Sequence, residues 1–280
     1  MRALPFVLAL ACAALLAAPL LRSLAQHGRT RPNFRGRELP CPFGALALAA
    51  AVPALVALTL VQRLASTRVL YPELVPIAVY ALGVLALGLL DDMLGDGPRG
   101  WRGHGAAALR GELSTGALKA LGSFGLALFA TGLHGLGLGL RPSNGRWLLA
   151  AAVLALATNA FNLLDLRPGR ATKAFVLLGA ALTIGSADVR PLWALGLFAG
   201  PALVAGAYDL RERAMLGDTG ANLLGALAGL WLVLTLSSTG QLVALALLAI
   251  VTIYGEFRSI STLIERTPGL AQLDSWGRPT

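Results

Sequence analysis

The sequence predicts an all-α fold, a polytopic membrane bundle of about nine transmembrane helices. Three observations carry that expectation. Hydrophobic residues make up 56% of the 280-residue chain and charged residues only 13%, against roughly 25% charged in soluble domains. Mean hydropathy is +0.70. The apolar residues are gathered in long charge-free runs, separated by short segments that hold nearly all the charge. The same composition excludes a disordered chain, a collagen and a disulfide scaffold. The 33 glycines follow no period, and the two cysteines, Cys12 and Cys41, lie in or beside apolar runs without metal-ligand spacing. A net charge of +9 is then a matter of where the charges sit, and no nucleic-acid partner is implied.

A membrane-crossing helix needs about 20 mainly apolar residues. The charge-free runs are Ala3–Leu21, Leu39–Gln62, Leu74–Leu90, Ala120–Leu140, Trp147–Leu164, Ala174–Ala187, Pro191–Tyr208 and Thr219–Gly255. The first exceeds the apolar core of a signal peptide and is followed by the other spans. The sixth is short, and Thr172 with a snorkelling Lys173 extends it. The last is too long for one helix and breaks at the turn cluster Ser237-Ser238-Thr239-Gly240, which makes nine. Residues 1–256 form the membrane domain and 257–280 a tail. Phe257, Ile260 and Ile264 share one helical face of that tail, and Trp276 suits an interface, so the tail is expected along the membrane surface.

Orientation follows from the basic residues of the short loops. Seventeen Lys and Arg lie on the side reached by the ends of the odd-numbered helices, against six on the other. That places these ends in the cytoplasm and the N-terminus outside. Twelve of the 14 acidic residues lie on the same side, all but Glu73 and Asp188. Topology control needs only the cations. A face dense in both signs fits either a site that handles metal and phosphate or an ordinary solvated rim.

Four clusters occupy that face. Leu89-Leu90-Asp91-Asp92-Met93-Leu94-Gly95-Asp96 ends the third helix, with Asp92 and Asp96 on one face at i, i+4. Carboxylates at a helix C-terminus oppose its dipole and repel one another, and a Mg²⁺ ion shared with substrate phosphates relieves both. Asn159, Asn162 and Asp165 lie within one face at the end of the fifth helix, either lining a cavity or bonding between helices. Arg167, Arg170 and Lys173 follow, as phosphate partners or simple positive-inside charge. Met215-Leu216-Gly217-Asp218-Thr219-Gly220 opens the eighth helix, where Asp218 suits either an N-cap or a ligand. The segment from Gly111-Glu112 to Lys119 leads into the fourth helix, and a lysine there opposes the dipole unless an anion or acidic neighbour engages it.

Together these clusters resemble the polyprenyl-phosphate N-acetylhexosamine-1-phosphate transferase superfamily, glycosyltransferase 4 family, which includes phospho-N-acetylmuramoyl-pentapeptide transferase. The likeness spans most of the chain. The segment Arg35-Gly36-Arg37-Glu38-Leu39-Pro40-Cys41-Pro42-Phe43-Gly44 is similar to the entrance of that family's second helix, and the other clusters follow in family order. The resemblance implies a Mg²⁺-dependent enzyme of a bacterial inner membrane. It would move a sugar-1-phosphate from a nucleotide-diphosphate sugar onto polyprenyl phosphate, such as undecaprenyl phosphate, for cell-wall or surface glycan synthesis. By the same resemblance Asp91 prepares the lipid phosphate nucleophile with Asp92 beside it, Asp218 and Asp92 hold Mg²⁺, Lys119 binds phosphate, and Asn159, Asn162 and Asp165 line the donor site. Its partners would be the lipid carrier, the nucleotide sugar and membrane lipids, with a homodimer as one form open to it.

Three departures mark a divergent member. Leu166-Arg167-Pro168-Gly169 follows Asp165 where the family continues Gly-x-Asp-Gly, which implies either that Arg167 or Arg170 takes the donor diphosphate or that the donor is an unusual one. The histidine-rich motif of the last cytoplasmic loop is missing, the three histidines being His27, His104 and His134. A tenth membrane helix is not expected either, since residues 257–280 read as a surface tail. An alternative reading is a non-catalytic relative that binds polyprenyl phosphate and regulates or translocates the carrier. A solute transporter fits less well, because carriers place their polar sites near the midplane and not at helix ends.

Overall fold

The computed structural model describes residues 1–94, 110, 114–134, 136–137 and 143–279. Asp96, Gly111 and Glu112 of the predicted clusters, and His104, lie outside the described residues. The first helix, α1 (Leu4–Gln26), is followed by a short hairpin, β1 (Thr30–Pro32) with β2 (Glu38–Pro40), and a 3-10 turn, Phe43–Ala45. Then come α2 (Leu46–Leu64), α3 (Leu74–Leu94), α4 (Thr115–Gly132), α5 (Asn144–Leu164), α6 (Arg170–Ser186), α7 (Arg190–Leu210), α8 (Gly217–Thr235) and α9 (Ser238–Phe257). Two short helices, α10 (Ile260–Arg266) and α11 (Pro268–Ser275), close the chain.

The protein is an all-helical, multi-pass membrane protein. Long helices occur at all nine predicted positions, and seven of the described ones are long and apolar enough to cross a membrane: α1, α2 with its 3-10 start, α3, α5, α7, α8 and α9. The remaining two, α4 and α6, are 18 and 17 residues long. Both begin earlier than the charge-free runs do, because Lys119 sits inside α4 and Arg170 and Lys173 sit inside α6. Ser114 caps α4 by accepting the Ala117 N–H. The turn cluster near Ser237 does divide the last run: Ser237 accepts the Gly240 N–H at 3.3 Å and starts α9.

The second run begins differently from its prediction. Leu39 lies in β2 and the helix proper starts at Leu46. The cause is local: Asn33 Oδ1 accepts the backbone N–H groups of Arg35 and Arg37, and Gly36 has φ +74°, a turn that folds the chain back on itself.

The centre of the bundle is α8, which packs against α3, α5, α6 and α7, and the whole of its stretch from Thr219 to Val233 is buried. Two glycines let backbones approach at its first turn. A Cβ on Gly88 of α3 would stand 2.6 Å from the Asp218 carbonyl oxygen, and one on Gly44 would collide with the Gly220 backbone. Segment 40–44 is laced to the start of α8 through Met215 N–H to Pro40 O (2.9 Å), Phe43 N–H to Met215 O (2.8 Å) and Gly44 N–H to Leu216 O (2.9 Å). The Pro/Gly entrance to α2 and the Gly217-Asp218-Thr219-Gly220 motif are therefore one structural unit.

Candidate functional site

Where α3 ends and α4 and α8 begin, three side chains meet. Lys119 Nζ lies 2.6 Å from Asp91 Oδ2 and 2.6 Å from Asp218 Oδ2. The side chains keep 19%, 17% and 29% exposure respectively, so a ligand arriving from the aqueous end reaches all three. The lysine that would oppose the α4 dipole is engaged by two acidic neighbours.

Asp92, next in sequence to Asp91, points elsewhere. Its Oδ1 accepts the Asp218 N–H (3.1 Å), and its Oδ2 accepts the Thr219 N–H (2.8 Å) and the Thr219 hydroxyl (2.6 Å). Arg31 of β1 seals the pair, giving Nη1 to Oδ1 (3.3 Å) and Nη2 to the Asp92 carbonyl (2.8 Å). The Asp92 side chain is wholly buried. A residue of α3 thus caps α8 from across the bundle, supplying the acceptor that free N–H groups of a helix start require. Asp218 lies in the first turn of α8, not at the cap, whose position is Leu216. Its carboxylate is left to face Lys119.

Asn159 and Asn162 line a cavity of 390 Å³ that Lys119 also lines. Asp165 is the C-cap residue of α5 and stands apart from them, towards Asp209, Asp218, Asp92 and Arg170. Desolvation, and then the neighbouring carboxylates of Asp209, Asp218 and Asp92, raise its carboxyl well above the ordinary carboxylate range. Asp209 ties the two loops of this end together, accepting the Gly169 N–H at 2.7 Å and the Leu216 N–H at 3.4 Å.

The two arginines expected to serve a donor diphosphate are turned to the tail. Arg170 is buried and binds Asp274 in a fork, Nε to Oδ1 at 2.8 Å and Nη2 to Oδ2 at 2.9 Å, with Nη1 on Ser261 Oγ. Arg167 pairs with Glu265 at 2.9 Å and lies 4.5 Å above the Phe34 ring. Lys173 donates to the carbonyls of Leu273, Asp274 and Trp276, and Arg278 to Pro168 O. The tail is thus strapped across the α5–α6 loop. Phe257, Ile260 and Ile264 do not share the expected helical face: α9 ends at Phe257, Arg258 is extended, and Ile260 is buried while Phe257, Leu270 and Trp276 are exposed.

Burial works against ionisation of Asp274, but hydrogen bonds from Arg170 and Arg278 outweigh it and hold its carboxyl down to about 2. A depressed folded-state value stabilises docking above the unfolded value, about 4. Docking should therefore hold at neutral pH and loosen as pH falls from about 4 through about 2. Limited proteolysis of the tail against pH checks this, and Asp274→Asn should expose the same cleavage site already at pH 7.

Several residues of this end were missed in the sequence: Asp274, the Thr219 hydroxyl, and the cavity-lining Asn222, Thr252 and Ser123. Asn222 had a signal, since it stands four residues after Asp218 within an apolar span.

Among the described residues no three His, Cys, Asp or Glu side chains gather as a metal cage. No family model and no curated protein matches the chain.

Proposed function

We propose that the chain is a Mg²⁺-dependent membrane transferase that moves a sugar-1-phosphate from a nucleotide-diphosphate sugar onto polyprenyl phosphate at the cytoplasmic face of a nine-span bundle. The observation that carries this reading is the convergence of Asp91 and Asp218 on Lys119 at 2.6 Å each. Two carboxylates and one ammonium at the end of a membrane bundle suit a reaction whose substrates are both phosphates. The donor set fits magnesium, which is held by one or two carboxylates together with substrate phosphates and not by an all-protein cage. When bound, the ion would neutralise phosphate charge that develops during transfer.

The residues divide that work. Asp91 and Asp218 would hold the ion. Lys119, displaced from them, is free to pair with phosphate oxygens. Asp92 acts as a positioning residue, since both its oxygens are engaged in fixing the start of α8. Asn162, at the end of α5, would border the place left for the donor, while Asp165 stands apart from that cavity.

One observation favours the second reading, a non-catalytic binder of the lipid carrier. Arg167 and Arg170 are both tied to the tail, so neither offers a free fork to a diphosphate. The experiment that separates the two supplies purified protein with undecaprenyl phosphate, Mg²⁺ and a panel of UDP-, CDP-, GDP- and dTDP-sugars. Nucleoside monophosphate released with one donor supports transfer. Silence across the panel, with undecaprenyl phosphate still bound, supports the binder.

A further inference from the structure

The cavity beneath Lys119 is built in two layers. At its mouth stand Lys119 on α4, Asn162 on α5 and Glu256 on α9. One helical turn further in, on the same faces, stand Ser123, Asn159 and Thr252, and Asn222 lies one turn in from Asp218 on α8. The outer layer holds the two charged residues, Lys119 and Glu256, and the polar residues of the inner layer are all neutral.

Asn222 is the informative member. It is 4% exposed, it lines the cavity, and its carboxamide makes no hydrogen bond among the described residues. Among the described residues, Asn159 spends its Nδ2 on Thr252 Oγ1 at 3.3 Å and keeps its carbonyl oxygen, and Asn162 is also without a side-chain bond. Carboxamides at membrane depth are costly unless something hydrogen-bonds to them. The 390 Å³ of space lies within the range of small-molecule sites, about 300–1,000 Å³.

We propose that this cavity binds the neutral, hydroxyl-bearing ring of a glycosyl phosphate, with the phosphate at Lys119 and the ring hydroxyls on Asn222 and Asn159. It rests on the transferase reading and adds to it where the sugar goes: into the bundle, one turn below the charged end. Other occupants fit less well. An isoprenoid chain would strand the carboxamides without partners. A cation would find no carboxylate in the inner layer, where hard ions need one. A nucleobase would find no aromatic face to stack on among the described lining residues.

The test needs no turnover. Wild-type protein in lipid nanodiscs is titrated with glucose 1-phosphate, with cyclohexyl phosphate (a ring of the same kind without hydroxyls) and with geranyl phosphate. Glucose 1-phosphate should bind about tenfold or more tighter than cyclohexyl phosphate, as expected when buried polar groups gain their partners. Asn222→Leu should erase that difference and leave geranyl phosphate binding unchanged. Equal or tighter binding of cyclohexyl phosphate by the wild type overturns the proposal, and so does an Asn222→Leu loss confined to geranyl phosphate. Because the wild-type comparison involves no variant, misfolding of Asn222→Leu does not blur the outcome. A silent donor panel would count against transfer alone and leave this comparison to decide the ring site.

Discussion

Asp218→Ala and Asp91→Asn should each lower Mg²⁺-dependent release of nucleoside monophosphate by about 10³-fold or more, the scale on which charge-neutralising groups act in phosphoryl transfer. Neither change should unfold the protein. Both side chains are partly exposed and both contact the same ammonium. Removing one therefore leaves Lys119 paired with the other, and no buried charge is stranded. Melting temperatures in detergent should stay within a few degrees of wild type. A variant that kept wild-type turnover would remove that carboxylate from the metal site.

Asp92→Ala should do the reverse, harming stability first. Its carboxylate satisfies two backbone N–H groups at the start of the central helix, the Thr219 hydroxyl and Arg31, all against a wholly buried side chain. Truncation leaves the two N–H groups and the Thr219 hydroxyl without an acceptor, while Arg31 stays half-exposed and keeps the residue-92 carbonyl. The loss of a cap costs about 1 kcal/mol, and each further buried donor left without a partner costs about 1–3 kcal/mol. Typical domains have only about 5–15 kcal/mol in hand. The expected result is a melting temperature lowered far beyond that of Asp91→Asn, with reduced folded yield. Asp92→Asn keeps one acceptor oxygen and should fall between the two. Equal melting of Asp91→Asn and Asp92→Ala would refute the division of labour between these neighbours.

That division shows where sequence reasoning stops. The positions of α1 to α9 were legible because apolar runs of membrane length admit few other structures, and the break at Ser237 because a Ser-Thr-Gly cluster favours a turn. Lys119 was legible as well, since a lysine at a helix start calls for an acidic partner. Asp91 and Asp92 were not separable, because which of two adjacent carboxylates accepts the free N–H groups of α8 depends on how α3 packs through Gly88. Arg170 read as phosphate-binding because its partner Asp274 lies 104 residues away, beyond any local pattern. The hairpin at Thr30–Pro40 lies partly inside an apolar run, and only the Asn33 to Gly36 turn announced it. Asn222 was overlooked because one carboxamide in a long apolar span reads as packing until the cavity beside it is known.

The most direct measurement follows the phosphorus. Donor sugar nucleotide labelled with ³²P at the β-phosphate is incubated with the purified protein in vesicles containing undecaprenyl phosphate. Label should move into the organic-extractable lipid when Mg²⁺ is present, and stay in water with chelator or with Asp91→Asn. Label that remained in the aqueous phase with every donor, while undecaprenyl phosphate bound normally, would contradict it.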